Sequence, residues 1–233
     1  MSRAFHQEPE LESFMLTHAH QVIVFRHGET DWNREGRIQG ATDIPMNADG
    51  VAQARLLGTR LQGLGLAQIV TSDLSRASET ARQVSAVLGI PVMALPELRE
   101  ISYGVGEGRL VSEMRARFGD AFYARWRGFA AGDWDVGFPG GETKRVVLER
   151  SRRGIERVLR EQGCSCLGVS THGGILRVLA HACLPEDAPT IAISNCIAYR
   201  FEVLCEGGVP ARWIFGGVVP GTADVEPKAA ERV

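Results

Sequence analysis

Arg26 and His27 stand side by side at the end of an apolar run, Gln21-Val22-Ile23-Val24-Phe25, with Gly28-Glu29-Thr30 directly after them. An unbroken β-branched stretch of that length predicts a buried strand, so the pair lies where the strand surfaces and the backbone turns. A guanidinium and an imidazole there must be solvated, paired or offered to a ligand, because neither can be left bare in a core. An anion satisfies both. Gly28 reads as a missing side chain that lets a ligand approach the backbone, and Glu29-Thr30-Asp31-Trp32-Asn33 adds donors and acceptors. Similar arrangements follow twice more: strand-like Ala67 to Thr71 leads into Ser72-Asp73-Leu74-Ser75-Arg76, and Cys166 to Ser170 leads into Thr171-His172-Gly173-Gly174. Two arginines and two histidines brought together would suit a phosphate dianion. Guanidinium forks match its oxygens two at a time, and helix N-termini beyond Ser72 and Gly173 aim backbone N–H groups at it. One charge-assisted contact contributes about 1.5 to 3 kcal/mol, whereas hydrolysis of a phosphate monoester can need roughly 28 kcal/mol of barrier lowering. Several clamps and a covalent intermediate are therefore expected together.

The elements that must position these residues alternate. Trp32 to Asp49 has Gly36, Gly40, Pro45 and no sustained period, and predicts a long loop over the strand ends. Asn47 then caps a helix carrying Val51, Ala54, Leu57, Leu61 and Leu64 that ends at Gly63 or Gly65. Ser72 or Asp73 is expected to cap a helix running to Leu88 with Gly89 as its stop, and Pro91 to Leu95 predicts a third strand. Val111 to Ala131 is an arginine-rich helical segment whose Met114, Phe118, Phe122, Trp126 and Phe129 read as core packing. Glu142 to Gln162 predicts a long helix with Arg150, Arg152, Arg153 and Arg157 on a solvated face. A helix from Ile175 to about Cys183 follows, and strands at Ile197 to Leu204 and Ala211 to Phe215 close one edge. Strands alternating with helices imply βαβ units and a mostly parallel sheet, which brings the post-strand loops to one side.

Composition limits the remaining choices. The 233 residues are enough for one sizeable core, and a net charge of -2 supplies no basic field for gripping nucleic acid or an anionic membrane surface. No apolar stretch is long enough to span a bilayer. Residues 1–20 lack a signal-peptide pattern and read as a flexible leader, with His18 and His20 as bystanders; residues 220–233 read as a flexible tail around a single domain over 21–219. The five cysteines are an odd count, and the Cys164/Cys166 pair has no second cluster, so free thiols in a reducing cytoplasm are expected rather than zinc.

Arg26-His27-Gly28-Glu29-Thr30 with Trp32-Asn33, Gln39-Gly40, Asp43-Ile44-Pro45, Ser72-Asp73-Leu74-Ser75-Arg76-Ala77 with Glu79-Thr80-Ala81, Leu98-Arg99-Glu100, Gly140-Gly141-Glu142 and His172-Gly173-Gly174 together resemble the histidine phosphatase superfamily, in its phosphoglycerate mutase-like branch. The likeness spans about Gln21 to Phe215. It implies a three-layer α/β/α sandwich with a mostly parallel central sheet and a helical lid over about 104–141. By the same resemblance, His27 is the nucleophile that becomes phosphohistidine, Arg26, Arg76 and His172 hold the phosphoryl oxygens, and Glu100 is the proton donor and acceptor. Asn33, Gln39, Gly40, Thr30 and Gly173 are the expected substrate contacts. No metal and no cofactor are called for, because the protein supplies the positive charge. The expected partner is a small phosphomonoester, and a homodimer is compatible with the reading. Mutases of the branch carry a Gly-Leu-Asn-Lys segment shortly after the acid, whereas Tyr103-Gly104-Val105-Gly106-Glu107-Gly108 is similar to the phosphatase members. The expectation is phosphomonoester hydrolysis, with phosphoglycerate mutase activity and non-catalytic phosphate sensing as alternatives. Gly106 departs from the family pattern, standing where many relatives have Trp, and should open or reshape the wall near the acid.

Overall fold

Val22 to Phe25 are fully buried, as a strand covered on both faces requires. In the computed structural model, which describes residues 18–223, they form the middle of β1 (His18–Arg26). A one-turn helix α1 (Asp31–Glu35) and α2 (Ala48–Arg60) follow, then β2 (Gln68–Thr71), α3 (Ser75–Leu88) and β3 (Val92–Ala94). Two short helices, α4 (Val111–Phe118) and α5 (Asp120–Arg127), precede the long α6 (Lys144–Gln162). β4 (Cys166–Thr171), α7 (Gly173–His181), β5 (Ala198–Glu206) and β6 (Val209–Val218) complete the order. The six strands form one sheet in the order β3-β2-β4-β1-β5-β6. The first four are parallel, while β5 and β6 are added antiparallel at one edge.

Alternation along the strands sorts side chains into two cores. Ile23, Phe25 and Ile69 pack with Ala54 and Leu57 of α2 and Ala81 and Val84 of α3; Val22, Val24, Val70, Leu167 and Val169 pack with Ile155 and Val158 of α6 and Ile175 and Leu179 of α7. That is the expected three-layer α/β/α sandwich. Register places the working ends level: Arg26 pairs with Thr171 across β1 and β4, and Thr71 with Ser170 across β2 and β4.

Several boundaries differ from the sequence expectation. His18 to His20, expected in the leader, belong to β1 opposite Cys205, Leu204 and Val203 of β5, and the His20 ring is bonded through Nδ1 to the Cys164 carbonyl at 2.7 Å. The rest of the leader and the tail beyond residue 223 lie outside the described residues. The tail's first residues are not loose, since Thr222 is fully buried and donates to the Val219 carbonyl at 2.7 Å. The segment expected as one helix over Val111 to Ala131 is broken at Gly119, whose φ of 83° lies outside helical backbone. Neither Ser72 nor Asp73 caps α3. Asp43, from the long loop, accepts from the Ser75 N–H at 2.8 Å and its hydroxyl at 2.7 Å, a cap supplied from 32 residues away. Asp73 is turned instead to Arg99, at 2.7 Å.

Candidate active site

His27 leaves β1 with its N–H on the Thr171 carbonyl at 2.9 Å, so the nucleophile candidate is tied to the neighbouring strand end. Its Nδ1 lies 2.7 Å from the Gly28 carbonyl. A carbonyl only accepts, so Nδ1 carries the proton and Nε2 keeps its lone pair. Burial, then the charges of Arg76 and Arg26, hold the His27 pKa well below the usual imidazole value, and the ring is neutral. The His172 ring stands 5.3 Å away, centroid to centroid. Arg76 Nε donates to His172 Nδ1 at 3.2 Å, which forces the His172 proton onto Nε2. Burial and Arg76 likewise keep this second ring neutral.

Arg76 is fully buried at the start of α3, its terminal nitrogens donating to the carbonyls of Thr42 at 2.8 Å and Gly40 at 2.7 Å. Burial pulls its pKa down to about 10, which leaves the guanidinium charged at neutral pH. Arg26 donates through Nη1 to the Ile193 carbonyl at 2.7 Å. Its Nε abuts the start of α7, 3.4 Å from where a side chain on Gly173 would begin. Arg26 Nε and His172 Nε2 are buried donors without a protein acceptor. Buried donors are almost always satisfied, and two orphans beside a neutral imidazole mark the place where an oxyanion belongs.

Glu100 is held by two backbone donors, Ile101 N at 2.9 Å and Gly174 N at 3.0 Å. A side chain on Gly174 would collide with the Glu100 carboxylate and the Tyr103 hydroxyl, so glycine there is what allows the acid to reach the first turn of α7. Gly28 has a different reason for being glycine than the one expected. A Cβ at Gly28 would overlap the Gly50 carbonyl and the Met46 sulfur at 2.6 Å, so its absence permits the loop to pack on α2 rather than a ligand to approach.

The cavity contains about 1130 Å³ of open space, its mouth included, and is lined by Arg26, His27, Asn33, Gln39, Gly40, Arg76, Glu100 and Gly173 among others. Nine of the ten expected site residues thus gather at one place, with His172 against the ring of His27. Thr30 is the exception. It is fully buried and caps α1, with its Oγ1 accepting from Asn33 N at 3.2 Å. Asn33 Oδ1 in turn accepts from Thr30 N at 3.1 Å, so Thr30 orients Asn33 instead of facing the cavity.

Other participants were not legible in the sequence. Asn195 donates to the His27 carbonyl at 2.8 Å and to Asn33 Oδ1 at 3.3 Å, bridging two site residues from the loop before β5. Arg150, expected on a solvated face, is a bracket. It bonds Glu142 through Nε at 2.8 Å and the carbonyls of Glu97 and Glu100 at 2.6 and 3.1 Å. The reason is helical spacing: Arg150 lies three residues after buried Val147 and four before buried Gly154, on the covered side of α6. Arg157 keeps the expected exposure, paired with Glu97 at 2.9 Å. Glu107 ties the lid's base to the loop beneath it, accepting from Thr42 Oγ1 at 2.6 Å and Tyr103 N at 3.0 Å. The wall near Gly106 is reshaped rather than opened, because the buried ring of Phe138 lies 3.1 Å from where a Gly106 side chain would start. The expected aromatic stripe divides: Phe118, Phe122 and Trp126 of α4 and α5 pack around Phe138, while Trp126 and Phe129, the latter just beyond α5, line the cavity.

Among the described residues, no three His, Cys, Asp or Glu side chains gather as metal ligands, and no helix is long and apolar enough to cross a membrane. Comparison with known proteins agrees with the geometry. The chain is 34% identical over 199 residues to a probable phosphoglycerate mutase of Serratia proteamaculans, covering 83% of this chain and 90% of that one. The Bacillus stearothermophilus protein YhfR superposes with a TM-score of 0.71 at 31% identity, over 86% of this chain and 96% of that one. A mycobacterial glucosyl-3-phosphoglycerate phosphatase shares the fold, with a TM-score of 0.73 at 24% identity over 85% and 98% of the two chains. Residues 22–214 match the model of the histidine phosphatase superfamily, branch 1, and the chain belongs to that family.

Proposed function

We propose that the protein is a metal-independent phosphomonoester hydrolase that works through a phosphohistidine on His27. The observation that carries this reading is the fixed tautomer of His27, with Nδ1–H on the Gly28 carbonyl and an unprotonated Nε2 beside two orphaned donors. In the first step Nε2 forms a bond to phosphorus as the ester P–O bond breaks, and Glu100 gives its proton to the leaving alkoxide. Arg26, Arg76 and His172 stabilise the equatorial oxygens, with Asn33 as a further donor. Water then attacks phosphorus, returns a proton to Glu100 and breaks the N–P bond, releasing phosphate.

A mutase reading is favoured by the likeness to the probable phosphoglycerate mutase of Serratia proteamaculans. It would need the phosphoryl group to pass to a second hydroxyl instead of water. The loop after Glu100 favours hydrolysis: Tyr103 to Gly108 lacks the Gly-Leu-Asn-Lys segment that mutases of the branch carry there. The five thiols, all free, suit a reducing cytoplasm. Turnover of p-nitrophenyl phosphate in EDTA, with acid-labile label trapped on wild type and absent from His27→Ala, is the expected result. Faster interconversion of 2- and 3-phosphoglycerate than release of phosphate from any monoester would overturn hydrolysis in favour of transfer. No turnover between pH 5 and 8 would favour a sensor.

A further inference from the structure

The proposed chemistry makes no use of Glu107, a side chain of the glycine-rich loop after Glu100 that is not part of the cavity wall. Five donors nevertheless converge on its carboxylate. Oε1 accepts from Ala41 N at 3.0 Å, Tyr103 N at 3.0 Å and the Ser102 hydroxyl at 3.3 Å, while Oε2 accepts from Thr42 N at 3.1 Å and the Thr42 hydroxyl at 2.6 Å. Every partner donates, so the place requires an acceptor-only side chain with two oxygens. An amide there would turn its NH2 group toward three of these donors or toward two, whichever way it lay. Gly40 is fitted to the same carboxylate: its φ of 59° is left-handed backbone, and a Cβ on it would lie 2.4 Å from Glu107 Oε1.

The loop that Glu107 grips is the one that holds Arg76. The Arg76 terminal nitrogens donate to the carbonyls of Gly40 at 2.7 Å and Thr42 at 2.8 Å, and its Nε to His172 Nδ1 at 3.2 Å. These bonds use three of the five guanidinium N–H groups and leave one on each terminal nitrogen for a phosphoryl group. The Gly40 carbonyl and the Ala41 N–H are opposite ends of one planar peptide unit, so Arg76 and Glu107 hold the same plane from its two sides. Thr42, which supplies the other carbonyl, is fixed to Glu107 by its N–H and its hydroxyl. Burial lowers the Arg76 pKa, and Glu107 is among the carboxylates, after Glu100 and Asp43, whose charge opposes that loss. We infer that Glu107 is a positioning residue for phosphoryl transfer: it fixes the two loop carbonyls that aim Arg76 at the phosphoryl group. The inference deepens the hydrolase reading and rests on it for the reaction that Arg76 serves.

A double-mutant cycle tests it. Glu107→Gln keeps the size of the side chain and strands donors, and it should lower kcat for p-nitrophenyl phosphate by about 10²-fold, the cost of a small misplacement of a clamp, with a smaller change in KM. Inhibition by orthovanadate, which adopts the five-coordinate geometry of phosphorus in transfer, should weaken in parallel. In Arg76→Lys the fork that takes both carbonyls is gone, and adding Glu107→Gln should then change kcat by no more than about threefold. The same loss in both backgrounds would make Glu107 a merely structural residue and overturn the inference. If Glu107→Gln does not fold, Thr42→Val removes one of the five donors and carries the comparison, with an expected loss in kcat of about three- to tenfold that disappears in Arg76→Lys. Calorimetry with inorganic phosphate separates the two readings, since it needs no turnover. Phosphate binding weakened by about tenfold in Glu107→Gln, with no ester turned over by wild type, removes the hydrolase and keeps the positioning of Arg76. Turnover by wild type, with kcat and phosphate affinity in Glu107→Gln held within about twofold, keeps the hydrolase and removes the positioning role.

Discussion

The floor of the cavity and its lid are built on opposite principles. On the floor, His27, Arg76, Ser170, Thr171 and His172 are almost wholly excluded from water, and Arg76, Ser170 and Thr171 donate to backbone carbonyls of other segments. The lid buries only Met114 from α4 and nothing from α5. It is held by a satellite cluster around Phe138 and by exposed pairs such as Arg115 with Asp120. Exposed ion pairs contribute about 0 to 1 kcal/mol each, so the lid's order depends mainly on its aromatic rings. The contrast teaches that the groups proposed to react are placed at the strand ends of the sheet, whereas the lid residues that line the cavity are placed by a separately packed unit.

Substitutions can break that contrast, beginning with the floor. His27→Ala should lower kcat/KM by about 10⁴-fold or more, because the covalent route is lost, while the melting temperature stays near wild type. Steady-state kinetics beside thermal unfolding would show both. Glu100→Gln should cost about 10²- to 10⁴-fold with alkyl phosphates and much less with p-nitrophenyl phosphate, whose leaving group needs no proton. Equal losses on both substrates would remove Glu100 as the acid. On the lid side, Phe138→Ala should destabilise the satellite cluster by about 3 to 5 kcal/mol. Hydrogen exchange should rise in α4 and α5 and not in β1 or β4, and KM should change more than kcat. Protection lost equally from the sheet would erase the distinction between the two regions. Gly106→Trp, which restores the ring common among relatives, should instead destabilise by about 1 to 3 kcal/mol, because Phe138 already fills that space. A calorimetric melt decides it.

The floor also predicts a pH dependence. His27 and His172 are kept neutral by burial and by Arg76, whereas in the unfolded chain they titrate near 6.5. Below that pH the unfolded state binds protons that the folded state refuses. Stability is therefore complete above about 6.5 and declines on acidification, by about 1.4 kcal/mol per pH unit for each histidine at most. Urea midpoints from pH 7.5 to 5 should show the decline, and replacing His172 with Gln should reduce its slope.

Local chemistry was written plainly in the chain. Strand-like runs ending in Arg26-His27 and in Thr171-His172 marked strand ends, and the glycine at 89 marked a helix stop, because those properties depend on neighbours within a few residues. With the parallel pattern this placed the floor, and Glu100, whose side chain says little by itself, was recognisable through the Leu98-Arg99-Glu100 motif. Tertiary structure alone decided the rest. It turned Thr30 into a cap and Gly28 into a packing contact, put Arg150 under Glu100, and brought Asn195 to the His27 carbonyl across 168 residues. Periodicity reports which face of a helix is covered but not what covers it. An arginine is compatible with water, a carboxylate, a carbonyl or a ligand, and the partner is supplied by distant chain that no local pattern encodes.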